Sequence, residues 1–255
     1  MPTVDIVIRT WKNDLRWLEY SLAFLKKNWV NPGRIIIIAN SDCRERCQYW
    51  SGPGEFVYVE PWPDTHEFKT YCSLMSPELS KADLIMNVDS DSMLVTKSSL
   101  SDFMNNGRPI ISYRPHADLG DYPSIHIYQA ALEHWLGQRA TRDYMVLPPF
   151  LFWRSTIAAV RSLIERISGQ SLEAALYSDR PYDWHHYLEH PKRFPDWEVI
   201  GFYCDLHERE RYDFNDPVCN PYEPSPGQSR FQPYHSWTQW TPEIVGKMDK
   251  LLMAQ

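Results

Sequence analysis

Leu84-Ile85-Met86-Asn87-Val88-Asp89-Ser90-Asp91 joins a hydrophobic run to a pair of acids. Its first five residues are an apolar run of strand length. Two carboxylates two residues apart then emerge where that strand leaves its sheet. Hard divalent cations prefer carboxylate oxygens, and Mg²⁺ or Mn²⁺ held by one or two Asp completes its shell with water and substrate phosphates. The tripeptide alone carries little, because 18 Asp in 255 residues make roughly one Asp-x-Asp expected by chance. Its position adds the information, since open α/β sheets bind ligands outside the carboxyl ends of their strands. The competing reading is a solvated turn or a helix cap.

Working outward from this strand, Val4-Asp5-Ile6-Val7-Ile8-Arg9-Thr10 is rich in β-branched residues and reads as a first strand, followed by a polar loop with Lys12, Asn13 and Asp14. Leu15, Leu18, Leu22 and Leu25 recur at helical spacing, and Pro32-Gly33 closes that unit. The near-continuous apolar run Arg34 to Asn40 has the character of a parallel strand covered on both faces. A third strand, Glu55 to Val59, and a helical stretch from about Glu67 to Leu79 lead into the acidic strand. The first hundred residues thus alternate β and α, which implies an α/β, doubly wound and mostly parallel sheet with helices on both faces and its site at the strand ends.

Beyond residue 100 the pattern changes. Pro109 to Tyr113 reads as a strand, and residues 114 to 135 show no assignable period. After Met145 to Trp153 a helix is expected with Ile157, Val160, Ile164 and Ile167 on one face. Residues 177 to 240 are dense in Tyr, Trp, His and Pro with little periodicity, and a stretch that long without regular structure is usually functional. Thr241 is placed to cap a final helix with Pro242 at its first position.

Composition narrows the class. The length suits one large α/β domain, and 43% hydrophobic residues indicate a sizeable core. The start runs straight into a strand with no basic or apolar leader, and no run approaches the ~20 apolar residues of a membrane span; a cytoplasmic enzyme is expected. Five Cys are too few and scattered for a disulfide framework, and Cys43-x3-Cys47 lacks the second ligand pair a zinc site needs. Residues 171 to 223 carry 12 acidic and 5 basic side chains, and the rest of the chain balances at 21 against 21. A generic nucleic-acid binder would show a basic face instead.

The strand ends at Arg9-Thr10 and Asn40-Ser41-Asp42, with Asp89-Ser90-Asp91 after a hydrophobic strand, resemble glycosyltransferases of the GT-A fold. Within that superfamily the chain is most similar to small bacterial and phage enzymes with an Asp-x-Asp motif. These also have a Pro-rich segment like Leu147-Pro148-Pro149-Phe150 and a later Trp-Glu-x-x-Gly-Phe-Tyr, here Trp197 to Tyr203. The resemblance covers most of residues 3 to 205 in layout. It implies a single GT-A domain over 1–255: a nucleotide-sugar-binding half at about 1–100, an acceptor-binding half at about 101–240, and a C-terminal helix at 241–255. It also implies that the acidic pair binds the donor diphosphate through Mn²⁺ or Mg²⁺, with a UDP-sugar as the first-choice donor.

The chemistry is consistent with this, because a divalent ion bridging a sugar diphosphate neutralises the charge on the leaving group. Asp91 is expected to ligate the metal directly, and Asp89 to contact the metal, its water or the ribose. Arg9, Thr10 and Asp42 are placed for the base and ribose, with Lys69 as a further nucleotide-sugar contact. The bland alternatives are a surface ion pair for Arg9 and a turn cap for Asp42. An inverting enzyme needs a base near the acceptor hydroxyl. Glu198 is the expected base and Asp205 the second choice, against a plain salt bridge from Glu198 to Arg193 or Lys192. A histidine from the last third is implied as a further metal ligand, His235 ahead of His207, with His185 and His186 left to acceptor contact or packing.

Two other functions compete. A haloacid-dehalogenase-type phosphatase also uses Asp-x-Asp after a hydrophobic strand, but its motif usually ends the first strand, and no later paired-Asp segment occurs here. A non-catalytic carbohydrate-binding protein would use some of the 36 aromatic side chains as stacking faces. The resemblance implies a glycan or small molecule as acceptor, and Arg139, Arg142, Arg154, Arg161 and Arg166, otherwise a solvated face, leave a modified DNA base open.

Overall fold

The computed structural model describes residues 2–31, 33–62, 65–118, 123–144, 149–177, 196–215, 231–233 and 241–253. The first half alternates as read: β1 (Val4–Thr10), α1 (Leu15–Asn28), β2 (Ile35–Asn40), α2 (Arg44–Cys47), β3 (Glu55–Val59), α3 (Thr65–Leu79) and β4 (Leu84–Asp89). Short strands follow: β5 (Ser92–Leu94), β6 (Met104–Asn105), β7 (Arg108–Ser112) and β8 (Arg114–Pro115). The remainder is α4 (Pro123–Leu136), β9 (Arg142–Asp143), β10 (Phe150–Trp153), α5 (Arg154–Ser168), α6 (Leu172–Leu176), α7 (Asp196–His207), β11 (Asp213–Asn215), β12 (Phe231–Pro233) and α8 (Pro242–Met253).

The main sheet has the order β10-β4-β1-β2-β3, with β10 antiparallel to β4 and the other pairs parallel. Side chains of β1 alternate between two helical layers. Ile6 and Ile8 pack with Leu18, Leu22 and Leu25 of α1, whereas Val7 packs in the cluster of Phe68 and Cys72 from α3. With both faces covered, polar residues inside the strands would be left without water, which is why β1, β2 and β4 read as apolar runs. The expected doubly wound, mostly parallel sheet with helices on both faces is therefore the fold. The register sets Arg9 opposite Asp89, which brings the ends of β1 and β4 side by side.

The second half corrects several expectations. The 109–113 strand exists as β7, but it belongs to a separate three-stranded sheet with β11 and β6. The unassigned stretch 114–135 holds α4, which buries Ala131, Leu132 and Trp135. On α5 the residues Ile157, Val160 and Ile164 are buried, but Ile167 is 45% exposed. The stripe ends with the helix, which Gly169 closes in the left-handed conformation that suits glycine (φ 65°). The aperiodic stretch 177–240 contains α7. Eight of its twelve residues are buried, among them Asp196 and Glu198, so it has no polar face to generate a helical period.

At the C-terminus, Thr241 Oγ1 accepts the Ile244 N–H at 3.3 Å as expected of a cap. Met248 of α8 packs against Trp17 and Phe24 of α1. Cys43, Cys47, Cys72 and Cys204 are free and buried. The Cys43 thiol is pushed up to about 12 by burial and then by Asp42.

Candidate functional site

The centre of the site is Arg9, at the end of β1 and only 5% exposed. A buried guanidinium needs hydrogen-bond acceptors, and four groups accept from its Nε and Nη1. Nε donates to Asp89 Oδ1 at 3.0 Å, and Nη1 donates to Ser73 Oγ at 2.9 Å and to the Lys69 carbonyl at 3.0 Å. Nη1 also donates to Asp196 Oδ2, and the guanidinium lies over the Trp197 ring at 4.0 Å. Trp197 stacks in turn on Phe150, with ring centroids 3.8 Å apart. Burial opposes the charge on Arg9, but Asp196 and Asp89 outweigh it, and the guanidinium is held protonated. The surface ion-pair alternative for Arg9 is thereby corrected: its two carboxylate partners lie on β4 and on the first turn of α7.

Asp89 is the last residue of β4 and keeps 19% of its side chain exposed. Lys69 Nζ stands 4.0 Å from the same Oδ1 that receives Arg9. Ser90 is buried, and Asp91 is half-buried just before β5. Asp14, at the cap position of α1, accepts a side-chain hydrogen bond from Ser90. Its carboxyl is raised by burial, with Lys69 opposing and Asp89 reinforcing the shift. The site thus brings together three of the expected residues (Arg9, Lys69 and Asp89) at the carboxyl ends of β1 and β4, with Asp91 two residues further along the chain, before β5.

Thr10 is buried, and its Oγ1 has no hydrogen-bond partner among the described residues; the same holds for Asn40 Oδ1 at the end of β2. Two orphaned polar atoms at neighbouring strand ends are a reason to look for a polar ligand there. Asp42 follows in a 3₁₀ turn, where Lys12 Nζ approaches Oδ2 at 3.8 Å and the Cys43 thiol lies 3.6 Å from Oδ1.

The other expected residues lie elsewhere. Glu198 is fully buried, and its Oε2 accepts the Tyr144 backbone N–H at 2.6 Å. Asp205 accepts Tyr144 Oη–H at 2.5 Å and Arg142 Nη1–H at 3.0 Å, and also pairs with Arg209. Residues two and nine positions past Asp196 fall about half a turn around the helix from it, so Glu198 and Asp205 face Tyr144 while Asp196 faces Arg9. His207 is exposed at the far end of α7 beside Tyr203, about 16 Å along the axis from Asp196; the structure does not bring it to the acidic pair. His235, His185, His186, Arg193 and Lys192 lie outside the described residues. β12 pairs antiparallel with β5, setting Pro233 opposite Ser92, the residue after Asp91.

Sequence reasoning missed Asp196, Ser73 and Asp14. Pro195-Asp196 ahead of an apolar run is a helix-start signal that could have pointed to Asp196. Ser73 carries no such mark.

No group of three or more His, Cys, Asp or Glu side chains close enough to cage a metal occurs among the described residues. Two neighbouring carboxylates nevertheless fit an ion such as Mg²⁺ or Mn²⁺, which takes the rest of its shell from phosphates and water. No helix among the described residues is long and apolar enough to cross a membrane.

No family model matches the chain, and no curated protein matches it. Among solved structures it is similar to 4-diphosphocytidyl-2C-methyl-D-erythritol synthase from Anaerococcus prevotii, at 13% identity and TM-score 0.47, covering 99% of this chain and 96% of that one. It is similar to CMP:2-keto-3-deoxy-manno-octonic acid synthetase complexed with CTP, at 9% identity and TM-score 0.48, covering 99% of each. A third likeness is to the apo glycosyltransferase GlyE of Streptococcus pneumoniae, at 13% identity and TM-score 0.39, covering 85% of this chain and 45% of that one. All three likenesses are remote.

Proposed function

We propose that this chain is a metal-dependent glycosyltransferase, moving a sugar from a nucleotide-diphosphate sugar, a UDP-sugar first, to an acceptor hydroxyl on a glycan, a small molecule or a modified DNA base. The observation that carries the reading is the meeting of Arg9 and Lys69 on Asp89 at the carboxyl ends of two adjacent parallel strands, with Asp91 two residues on. That is where an open α/β sheet binds its ligand.

Asp91 and Asp89 would hold Mn²⁺ or Mg²⁺. The ion, when bound, would neutralise charge on the departing diphosphate. Thr10 and Asn40 would offer their buried polar atoms to the nucleoside, with Asp42 at the next strand end for the ribose or base. Lys69, 34% exposed and directed at Asp89, would reach a phosphate oxygen. The acceptor would be held by residues of the second half, and the reading does not depend on Glu198 or Asp205 being the base. For a histidine ligand we favour His235 over His207. β12 ends at Pro233, across from Ser92, whereas His207 sits at the distal end of α7.

The test is a screen of UDP-, GDP-, TDP- and CMP-sugars for Mn²⁺-dependent nucleotide release, followed by candidate acceptors with the productive donor. Release should stop with EDTA and fall by about 10²–10³-fold in Asp91→Ala. Release that survives EDTA and both Asp89→Ala and Asp91→Ala would refute the reading. Phosphate release from p-nitrophenyl phosphate with Mg²⁺ would indicate the phosphatase instead. Sugar binding untouched by EDTA, without turnover, would indicate the binding module. Mn²⁺ affinity in the presence of UDP should weaken tenfold or more in His235→Ala and stay unchanged in His207→Ala.

A further inference from the structure

We infer that Asp196 is a positioning residue that controls Asp89 through Arg9; the inference rests on the donor-site reading above. Asp89 Oδ1 receives Arg9 Nε at 3.0 Å and faces Lys69 Nζ at 4.0 Å, so one carboxylate meets two cations. Arg9 is the nearer of the two and Lys69 acts on Asp14 as well, so the guanidinium is the cation that most weakens Asp89 as a ligand for a further positive charge. Asp196 changes that balance. It draws on the same guanidinium from the opposite side, at Nη1, so the charge of Arg9 is shared between Asp89 and Asp196.

The arrangement is closed by Ser73. Its Oγ accepts from Arg9 Nη1 at 2.9 Å and donates to Asp196 Oδ2 at 2.8 Å, which completes a three-membered ring of hydrogen bonds in a buried setting. The Trp197 face and the Lys69 carbonyl bound the guanidinium further. Asp196 sits in the first turn of α7, where a helix favours negative charge. Arg9 therefore has little freedom to turn, and the Asp89 carboxylate it grips at Oδ1 is held in one orientation at the mouth of the site. Asp196 belongs to the helix of the second half and Asp89 to a strand of the first, so the link joins the two halves at the site.

The experiment measures Mn²⁺ affinity by electron paramagnetic resonance in the presence of UDP, on the full chain, with near-ultraviolet circular dichroism as the check on folding. Asp196→Asn keeps the shape and an acceptor for Arg9 but removes the charge. It should weaken Mn²⁺ by about 10–100-fold, the range for groups that act behind a metal ligand, and Asp196→Glu should recover part of the loss. If Asp196→Asn does not fold, Ser73→Ala removes only the hydroxyl that closes the ring, and a several-fold loss of Mn²⁺ affinity is expected. Asp91→Ala separates the two levels of the argument. If wild type and Asp91→Ala bind Mn²⁺ alike, the donor-site reading fails. If Asp91→Ala loses Mn²⁺ while folded Asp196→Asn or Ser73→Ala binds it as wild type does, Asp196 has no positioning role.

Discussion

Helix α7 offers carboxylates to two neighbourhoods that look alike in composition and differ in what they can do. On one side Asp196 meets Arg9, Ser73 and, through Arg9, the partly exposed Asp89 at the strand ends. On the other side Glu198 and Asp205 both hold Tyr144, one by its backbone N–H and the other by its hydroxyl, and Asp205 also holds Arg142 of β9. Glu198 and Asp205 are seven residues apart and so share a face. These partners come from β9 and the residue after it, and both acids are engaged in joining α7 to that segment. The first neighbourhood lies at two strand ends, where an open sheet binds its ligand; the second lies about half a turn around α7, where the carboxylates hold the segment at Tyr144. A buried acid on a helix is thus not informative about chemistry until its azimuth is known.

Stability measurements test this contrast, and Arg9→Ala should cost the most. It strands Asp196 as a buried, uncompensated charge and should cost about 3–5 kcal/mol in urea unfolding. A loss under about 1 kcal/mol would mean the pair is solvated and the site loose.

Next, Glu198→Ala removes a charged acceptor from a buried N–H and should cost about 1.5–3 kcal/mol. The turnover of the folded fraction should be kept. Unchanged stability with a large loss of kcat would move Glu198 to the reacting centre. Gly201→Ala tests the same face by sterics. An added Cβ would lie 2.5 Å from Tyr144 Cβ, and the overpacking should cost about 1–3 kcal/mol. The Gly in Trp197 to Tyr203 is explained by this close approach of Tyr144 to the helix. The smallest effect is expected for Asp205→Asn. Its partners Arg142 and Arg209 are 27% and 55% exposed, so the change should cost about 0.5–1 kcal/mol and shrink in high salt. A larger, salt-independent loss would place Asp205 in the buried class with Glu198.

How far the sequence could be read follows from the same physics. Local signals were sufficient where one strand or helix reports its own surroundings: Ile35–Asn40, Glu55–Val59 and Leu84–Asp89 are strands at nearly the positions their apolar runs indicate. Thr241 caps its helix as the Thr-Pro pair suggests. Signals failed where burial was complete or where a stripe ran past its packing. α7 is covered nearly all round, so no polar face marks it as a helix, and Ile167 lies beyond the last turn that packs. Glu198 and Asp205 drew attention as acids in an aromatic segment, and nothing local distinguishes a carboxylate that faces a site from one that faces Tyr144.

The alternating β and α order of the first hundred residues and the place of Asp89-Ser90-Asp91 at a strand end are written in the local chain, because hydrophobic periodicity and turn chemistry are local properties. Only the tertiary structure decided that Arg9 is buried between Asp89 and Asp196, 80 and 187 residues away. Charge balance in a site of low dielectric depends on which groups the fold packs together, and no stretch of sequence carries that separation.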